Sequence, residues 1–215
     1  PVVPVVRPAA GVLESMGSGD KTESVMRFEI DRLDDNQLDT LRAQLETALS
    51  DVREAVSDWK DMRGRMVQVA DDLGKRALPY TAEEVREATE FLRWVADDHF
   101  TFMGYREYEV AAEGDDEVLK TVDGSGLGIL RAAERSLAPR SLRTLVASEL
   151  PRSGSTDAII LTKTNARSPI HRAGYMDYIG VLKFDDKGRP VAEQRFLGLF
   201  TSSAYNRRPW EIPLV

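Results

Sequence analysis

The chain has 215 residues, enough for one large or two small domains with a substantial core. Its apolar fraction of 42% and charged fraction of 30% are those of an ordinary globular protein. A formal net charge of −7, with 29 Lys and Arg scattered among 36 Asp and Glu, argues against a nucleic-acid surface. Cysteine is absent, which removes disulfides, thiolate metal sites and cysteine nucleophiles, and suits a cytoplasmic setting. No apolar run approaches the roughly 20 residues that a bilayer-spanning helix needs, so no membrane partner is expected. The sequence opens on Pro1 and halts at Val215, and both ends read as cuts inside a longer polypeptide.

Two strands are expected in residues 1 to 32. Val2 to Arg7 carries proline, which cannot donate to a ladder and favours an edge. From Ser24 to Asp31, Met26, Phe28 and Ile30 alternate with polar residues, the period of a strand with one apolar face. Asp34-Asp-Asn36 then offers N-cap oxygens for a helix. Leu38, Leu41, Leu45, Leu49, Val52, Val56, Trp59, Met62, Met66, Val69 and Leu73 recur at three- or four-residue steps, predicting a helix of nearly forty residues. A break is expected near Gly64. The first portion of the helix would cover the strands, and the remainder would act as a connector.

Thr81-Ala-Glu-Glu84 is a capping box, and Val85, Ala88, Leu92 and Val95 form the stripe of a second helix ending near Asp97-Asp98. His99 to Val110 reads as an aromatic-rich strand, covered on both sides if Phe100 and Phe102 share a face. Glu117 to Val122 reads as its hairpin partner. Gly124-Ser-Gly-Leu-Gly128 lacks the ending of a nucleotide P-loop and the spacing of a dinucleotide fingerprint, and is expected to be a flexible loop. Short helices are expected around 129–136 and 141–150. Three strands follow, Asp157 to Thr164, Tyr178 to Phe184 and Val191 to Thr201, the last two joined by the hairpin signal Asp185-Asp-Lys-Gly188.

The whole order predicts an α+β chain. A strand-strand-helix unit at 1–74 resembles half of an ACT domain. A connector and lead-in helix occupy 75–98. A five-stranded antiparallel sheet with flanking helices at 99–210 resembles a PAS domain, with GAF-like and profilin-like sheets as rivals.

Chemistry is sparse. The two histidines, His99 and His171, lie far apart and neither has a ligand at metal spacing, so no metal is expected. With no nucleophile elbow and no clustered histidine, a hydrolytic triad is not expected either, nor any other catalytic residue. The candidate site is the loop before the second strand of the meander. There Lys163, Arg167, His171, Arg172, Tyr175 and Asp177 gather cations near a strand end, able to grip a carboxylate or phosphate. Alternatively Arg167 and Arg172 pair with Asp177 or with a neighbouring domain.

Three runs carry a resemblance. They are Thr162-Lys-Thr-Asn-Ala-Arg167 with His171-Arg172 and Tyr175 to Val181, then Phe91 to Tyr108, then Glu23 to Arg32, with Arg195 to Thr201 beside the first. They resemble the N-terminal regulatory part of the large bacterial NAD-specific glutamate dehydrogenases. The resemblance implies an enzyme that converts L-glutamate to 2-oxoglutarate and ammonia with NAD, the cofactor binding elsewhere and not in this segment. It implies a segment that contacts other domains and subunits of a homo-oligomer, transmits an allosteric signal, or senses an amino-acid effector.

Overall fold

The computed structural model describes residues 2–6, 14–17, 21–24, 26–75, 80–113, 116–131, 159–208 and 211–213. The chain divides into two compact units, Pro1–Ala43 and Gln44–Val215.

In the first unit β1 (Val2–Val6), β2 (Ser15–Met16) and β3 (Lys21–Ser24) form an antiparallel sheet in the order β2-β1-β3. β1 is therefore the central strand, contrary to the edge expected from its proline. Because β2 pairs only with Val5 and Val6, Pro4 faces a neighbour on the β3 side alone, where it lies opposite Thr22. That local edge accommodates the missing donor. The strand expected over Ser24–Asp31 is also displaced. The ladder occupies Lys21–Ser24, and Met26, Phe28 and Ile30 lie outside it with their side chains exposed.

Helix α1 runs without a break from Asp35 to Leu73. Asp34 caps it reciprocally with Gln37: the Gln37 N–H donates to Asp34 Oδ1 at 2.8 Å, and the Asp34 N–H donates to Gln37 Oε1 at 3.0 Å. Gly64 does not interrupt the helix. Its cost of about 1 kcal/mol relative to Ala is small beside burial of Met62 and Met66 on either side of it. The portion that covers a sheet is the C-terminal half, with Ala55, Met62, Met66, Val69, Ala70 and Leu73 buried, and not the first portion. The reason lies in the period of the apolar stripe, which averages close to 3.5 residues. On a straight helix of 3.6 residues per turn such a stripe slides around the axis by about 20° per heptad. Its two ends therefore cannot face the same surface.

The second unit is built on a six-stranded antiparallel sheet. The path is β5-β4-β9-β8-β7, with β4 Phe100–Glu113, β5 Asp116–Thr121, β7 Ile159–Arg167, β8 Tyr175–Phe184 and β9 Pro190–Phe200; β6, Leu127–Gly128, pairs with β4. The hairpin between β8 and β9 turns at Asp185–Gly188 as expected. The Gly188 N–H donates to the Asp185 carbonyl at 3.0 Å, and Gly188 takes the left-handed φ of 72° that the turn needs. The short helices expected at 132–136 and 141–150 fall outside the described residues, and Ile129–Leu130 form a turn.

Both faces of the sheet are covered, as the aromatic strand predicted. Met176 to Leu182 and Glu193 to Leu199 are buried without alternation. On one face Phe102, Tyr105, Ile179, Val181 and Phe196 pack against α1 and against α2, Ala82–Trp94. On the other, Met103, Met176, Tyr178, Leu197 and Leu199 pack with Ile129 and Leu130. A β-bulge at Met103 makes this division possible: Phe102 pairs with Gly198 and Gly104 with Leu197, leaving Met103 as the extra residue. The parity of β4 flips there, so Tyr105 joins Phe102 on the helix side while Met103 turns away.

α2 begins with the predicted box: the Glu84 N–H donates to Thr81 Oγ1 at 3.2 Å and the Thr81 N–H to Glu84 Oε2 at 2.7 Å. It ends in a wide turn, Val95–His99, in which Asp98 takes φ 58°. There the His99 ring stacks on Trp94 at 4.3 Å and its Nδ1 lies 2.9 Å from the Trp94 carbonyl oxygen. α3 is a single turn, Ser202–Tyr205.

Candidate functional site

The β7–β8 loop sits where β7 and β8 separate. Lys163 is in register with Asp177 and Arg167 with Tyr175, with an irregularity between the pairs. Lys163 Nζ lies 2.5 Å from Asp177 Oδ1, and the buried Asp177 also accepts the Phe200 N–H on Oδ2 at 3.2 Å. Asp177 thus ties β7 to β9 across β8, and its cation is Lys163, not an arginine. Arg167 lies over the Tyr175 ring at 5.5 Å. Arg172 donates to the Phe200 carbonyl at 2.8 Å and lies 5.8 Å from the Tyr205 ring. Phe200 is therefore held through both backbone groups by two residues of the candidate set. The loop closes through the Ser168 N–H to the Gly174 carbonyl at 2.8 Å, and His171 takes φ 67° with its side chain exposed.

The structure brings the six residues to one end of the sheet, but their interactions run in three directions. The surface they present is cationic and aromatic: Arg167, His171, Arg172 and Tyr175 are all exposed. Such a surface suits contact with carboxylates.

Two polar groups inside the sheet were not foreseen. On the helix face, Tyr105 donates to Glu107 Oε1 at 2.6 Å, Gln194 Nε2 donates to Tyr105 Oη at 2.8 Å, and Lys183 Nζ lies 3.3 Å from Glu107 Oε2. Burial lifts the Tyr105 phenol above its ordinary range, and the bond to Glu107 adds to that. Burial would also raise Glu107, yet the hydrogen bond from Tyr105 and the charge of Lys183 outweigh it and hold the carboxyl low.

On the other face, Arg195 and Glu193 form an ion pair with side chains 1% and 0% exposed. Arg195 Nη2 lies 3.2 Å from Glu193 Oε2, and Nε donates to Tyr178 Oη at 3.2 Å. The guanidinium stacks on the Tyr108 ring at 4.0 Å. Among the described residues Arg195 Nη1 has no hydrogen-bond partner. Desolvation pushes the Glu193 carboxyl up, against the pull of Arg195. The signal in the sequence was two charges at alternate positions, Glu193 and Arg195, in a strand that continues as the apolar run Phe196-Leu-Gly-Leu-Phe200.

The glycine segment is not the flexible loop expected. Ser125 Oγ accepts the Glu107 N–H at 3.1 Å, and the Gly128 N–H donates to Asp58 Oδ2 at 2.7 Å. Asp58 Oδ1 pairs with Arg131. The backbone amide of the glycine run does meet an anion, and the anion is a carboxylate supplied by α1.

Among the described residues no group of three or more His, Asp or Glu could hold a metal ion. No helix there is long and apolar enough to cross a membrane.

Fold and site together define an α+β protein in which a six-stranded antiparallel sheet is packed on both faces and its interior charges are tied to one another. No family model matches the chain. It is similar to proteins named NAD-specific glutamate dehydrogenase. The Pseudomonas aeruginosa protein is 34% identical over 223 residues, covering 100% of this chain and 14% of the relative. The Halomonas elongata protein is 34% identical over 209 residues, covering 94% and 13%. The Mycobacterium tuberculosis protein is 27% identical over 173 residues, covering 80% and 10%. The resemblance to this enzyme family read from the sequence is thereby borne out, and the chain spans about one-seventh of the length of the curated relatives it matches.

Proposed function

We propose that this chain is a noncatalytic regulatory and assembly segment of a large NAD-dependent glutamate dehydrogenase. The enzyme as a whole would convert L-glutamate to 2-oxoglutarate and ammonia with NAD bound in another part of the polypeptide. The observation that carries the reading is the alignment of the whole chain with a minor part of each relative. The direction of the polar groups supports it: Asp177, Asp58, Glu107 and Glu193 each engage a cation or backbone amide of the chain itself. The antiparallel path of the larger unit supports a PAS-like assignment, and strands followed by a long helix support an ACT-like one for the first unit. Partners in this reading are neighbouring domains and subunits, met through surfaces such as Arg167, Arg172 and Tyr175.

A sensing module would bind an amino acid between helix and sheet. The cleft there, between Leu73 of α1 and Val181, Lys183 and Gln194, has about 20 Å³, room for one water. This cleft is too small to hold an amino acid. The test is a coupled assay with the purified chain, glutamate and NAD, together with a thermal-shift screen of amino acids and nucleotides. No NADH and no shift are expected. NADH production would refute the noncatalytic reading, and a saturable rise in Tm with one amino acid would transfer the assignment to sensing.

A further inference from the structure

Two buried arginines share one carboxylate. On the face of the sheet that packs with Ile129 and Leu130, Arg106 of β4 stands directly opposite Arg195 of β9 in the ladder, so both side chains leave the same face. They are 4% and 1% exposed. Residues opposed in this way have Cβ atoms about 5 Å apart, and like charges there repel. A guanidinium cannot relieve the repulsion by losing its proton, because it stays charged in any folded protein. Glu193 is the carboxylate beside them, and it accepts from Nε and Nη2 of Arg195 at 3.3 and 3.2 Å. Asp58, which reaches the adjoining turn, is taken by Arg131. Among the described residues Arg106 pairs with no carboxylate; its Nη2 donates to the Arg131 carbonyl, a neutral acceptor, at 3.3 Å. The pairing therefore leaves one positive charge over.

The geometry around Arg195 shows where a counter-charge would sit. The Tyr108 and Tyr178 rings lie against the guanidinium at 4.0 and 5.1 Å, and Glu193 runs along its Nε–Nη2 edge. The direction left is that of Nη1, the buried donor with no acceptor among the described residues. We propose that a small monovalent anion of the size of chloride is held at Arg195 Nη1 and balances the charge of Arg106. A water molecule would meet the hydrogen bond of Nη1 but leave the charge excess as it stands. An uncompensated buried charge is costlier than an unmet hydrogen bond, so the excess selects an ion over water. The burial of both arginines restricts that ion to a small one. This site lies inside the sheet, apart from the cationic β7–β8 loop, and does not depend on the assembly role proposed above.

The test is thermal unfolding of the 215-residue chain at fixed pH and ionic strength, with chloride exchanged stepwise for gluconate, an anion too bulky for the site. Tm should rise saturably with chloride, by roughly 5–11 °C at a hundredfold excess over Kd, because the ion binds only the folded state. Arg106→Met removes the surplus cation and should abolish the dependence. Glu193→Gln removes the carboxylate and enlarges the surplus, and should lower the half-saturating chloride about tenfold or more. Bromide in place of chloride needs no variant and decides the matter if a variant fails to fold: crystals grown in bromide should show an anomalous scattering peak within hydrogen-bonding distance of Arg195 Nη1. A Tm indifferent to chloride overturns the proposal. So does a dependence that Arg106→Met leaves unchanged or that Glu193→Gln weakens, and so does bromide found only at other positions.

Discussion

Replacing Arg195 by Met tests whether the interior charges of the sheet are held only by each other. The substitution keeps apolar bulk against Tyr108 and Tyr178 but leaves the fully buried Glu193 carboxylate without its cation. Breaking a buried pair from one side costs about 3–5 kcal/mol. Against a typical stability of about 5–15 kcal/mol that is a large fraction. At about 2–4 °C per kcal/mol for a chain of this size, Tm should fall by roughly 6–20 °C. The sign of the pH dependence follows from Glu193, whose folded-state pKa already stands above its ordinary value of 4.5. The native state therefore holds this proton more tightly than the unfolded chain does. The associated stability is present below the unfolded value and is lost as pH rises through the folded one. Without Arg195 the folded value rises further. R195M should thus be least damaged near pH 4.5 and most damaged at pH 8, and the double variant E193L/R195M should lose most of that pH dependence. Urea unfolding at pH 5 and pH 8, with unchanged m, reads both effects. A loss below about 1 kcal/mol at pH 8, or one that does not vary with pH, would refute the reasoning.

Gly128→Ala should destabilise by more than about 2 kcal/mol, since its φ is 58° and a Cβ there would lie 2.1 Å from the Met103 carbonyl oxygen; thermal unfolding measures it. Asp58→Ala should cost about 1–3 kcal/mol by leaving the Gly128 N–H without an acceptor, and hydrogen exchange at Gly128 should accelerate with it. Thr81→Ala should cost about 1 kcal/mol through the lost cap, read by the same thermal unfolding. Leu92→Ala, at a position with no exposure in the helix-side core, should cost about 2–5 kcal/mol in the same unfolding assay.

Local rules made much of this molecule legible from its residues. The Thr81–Glu84 box, the Asp34 cap, the Asp185–Gly188 hairpin and the five principal strands depend on neighbours in sequence, and each stands close to where those neighbours put it. So did the two-sided burial of the aromatic strand, because Phe100, Phe102 and Tyr105 cannot share one face of an unbroken strand. The bulge at Met103 that resolves the conflict was not legible, because an extra residue is defined only by the partner strand it fails to match. Cross-strand pairing likewise decided that Asp177 takes Lys163 as its cation, since residues fourteen apart are brought opposite each other only by the ladder. The same holds for the glycine run. Its residues alone suggest a loose turn, and it becomes a fixed one only because Asp58, seventy residues earlier, reaches the Gly128 amide.

The long apolar stripe shows where the two kinds of information part. Sequence by itself determined that this stretch is helical and that Leu45, Leu49, Val52, Val56, Trp59, Met62 and Met66 recur at helical spacing, but the break it suggested near Gly64 is absent from the structure. Only tertiary structure decided which end of that row is covered. A row of period near 3.5 winds around a helix of period 3.6, and a sheet that takes up Met62 and Met66 leaves Leu45 to Trp59 facing solvent.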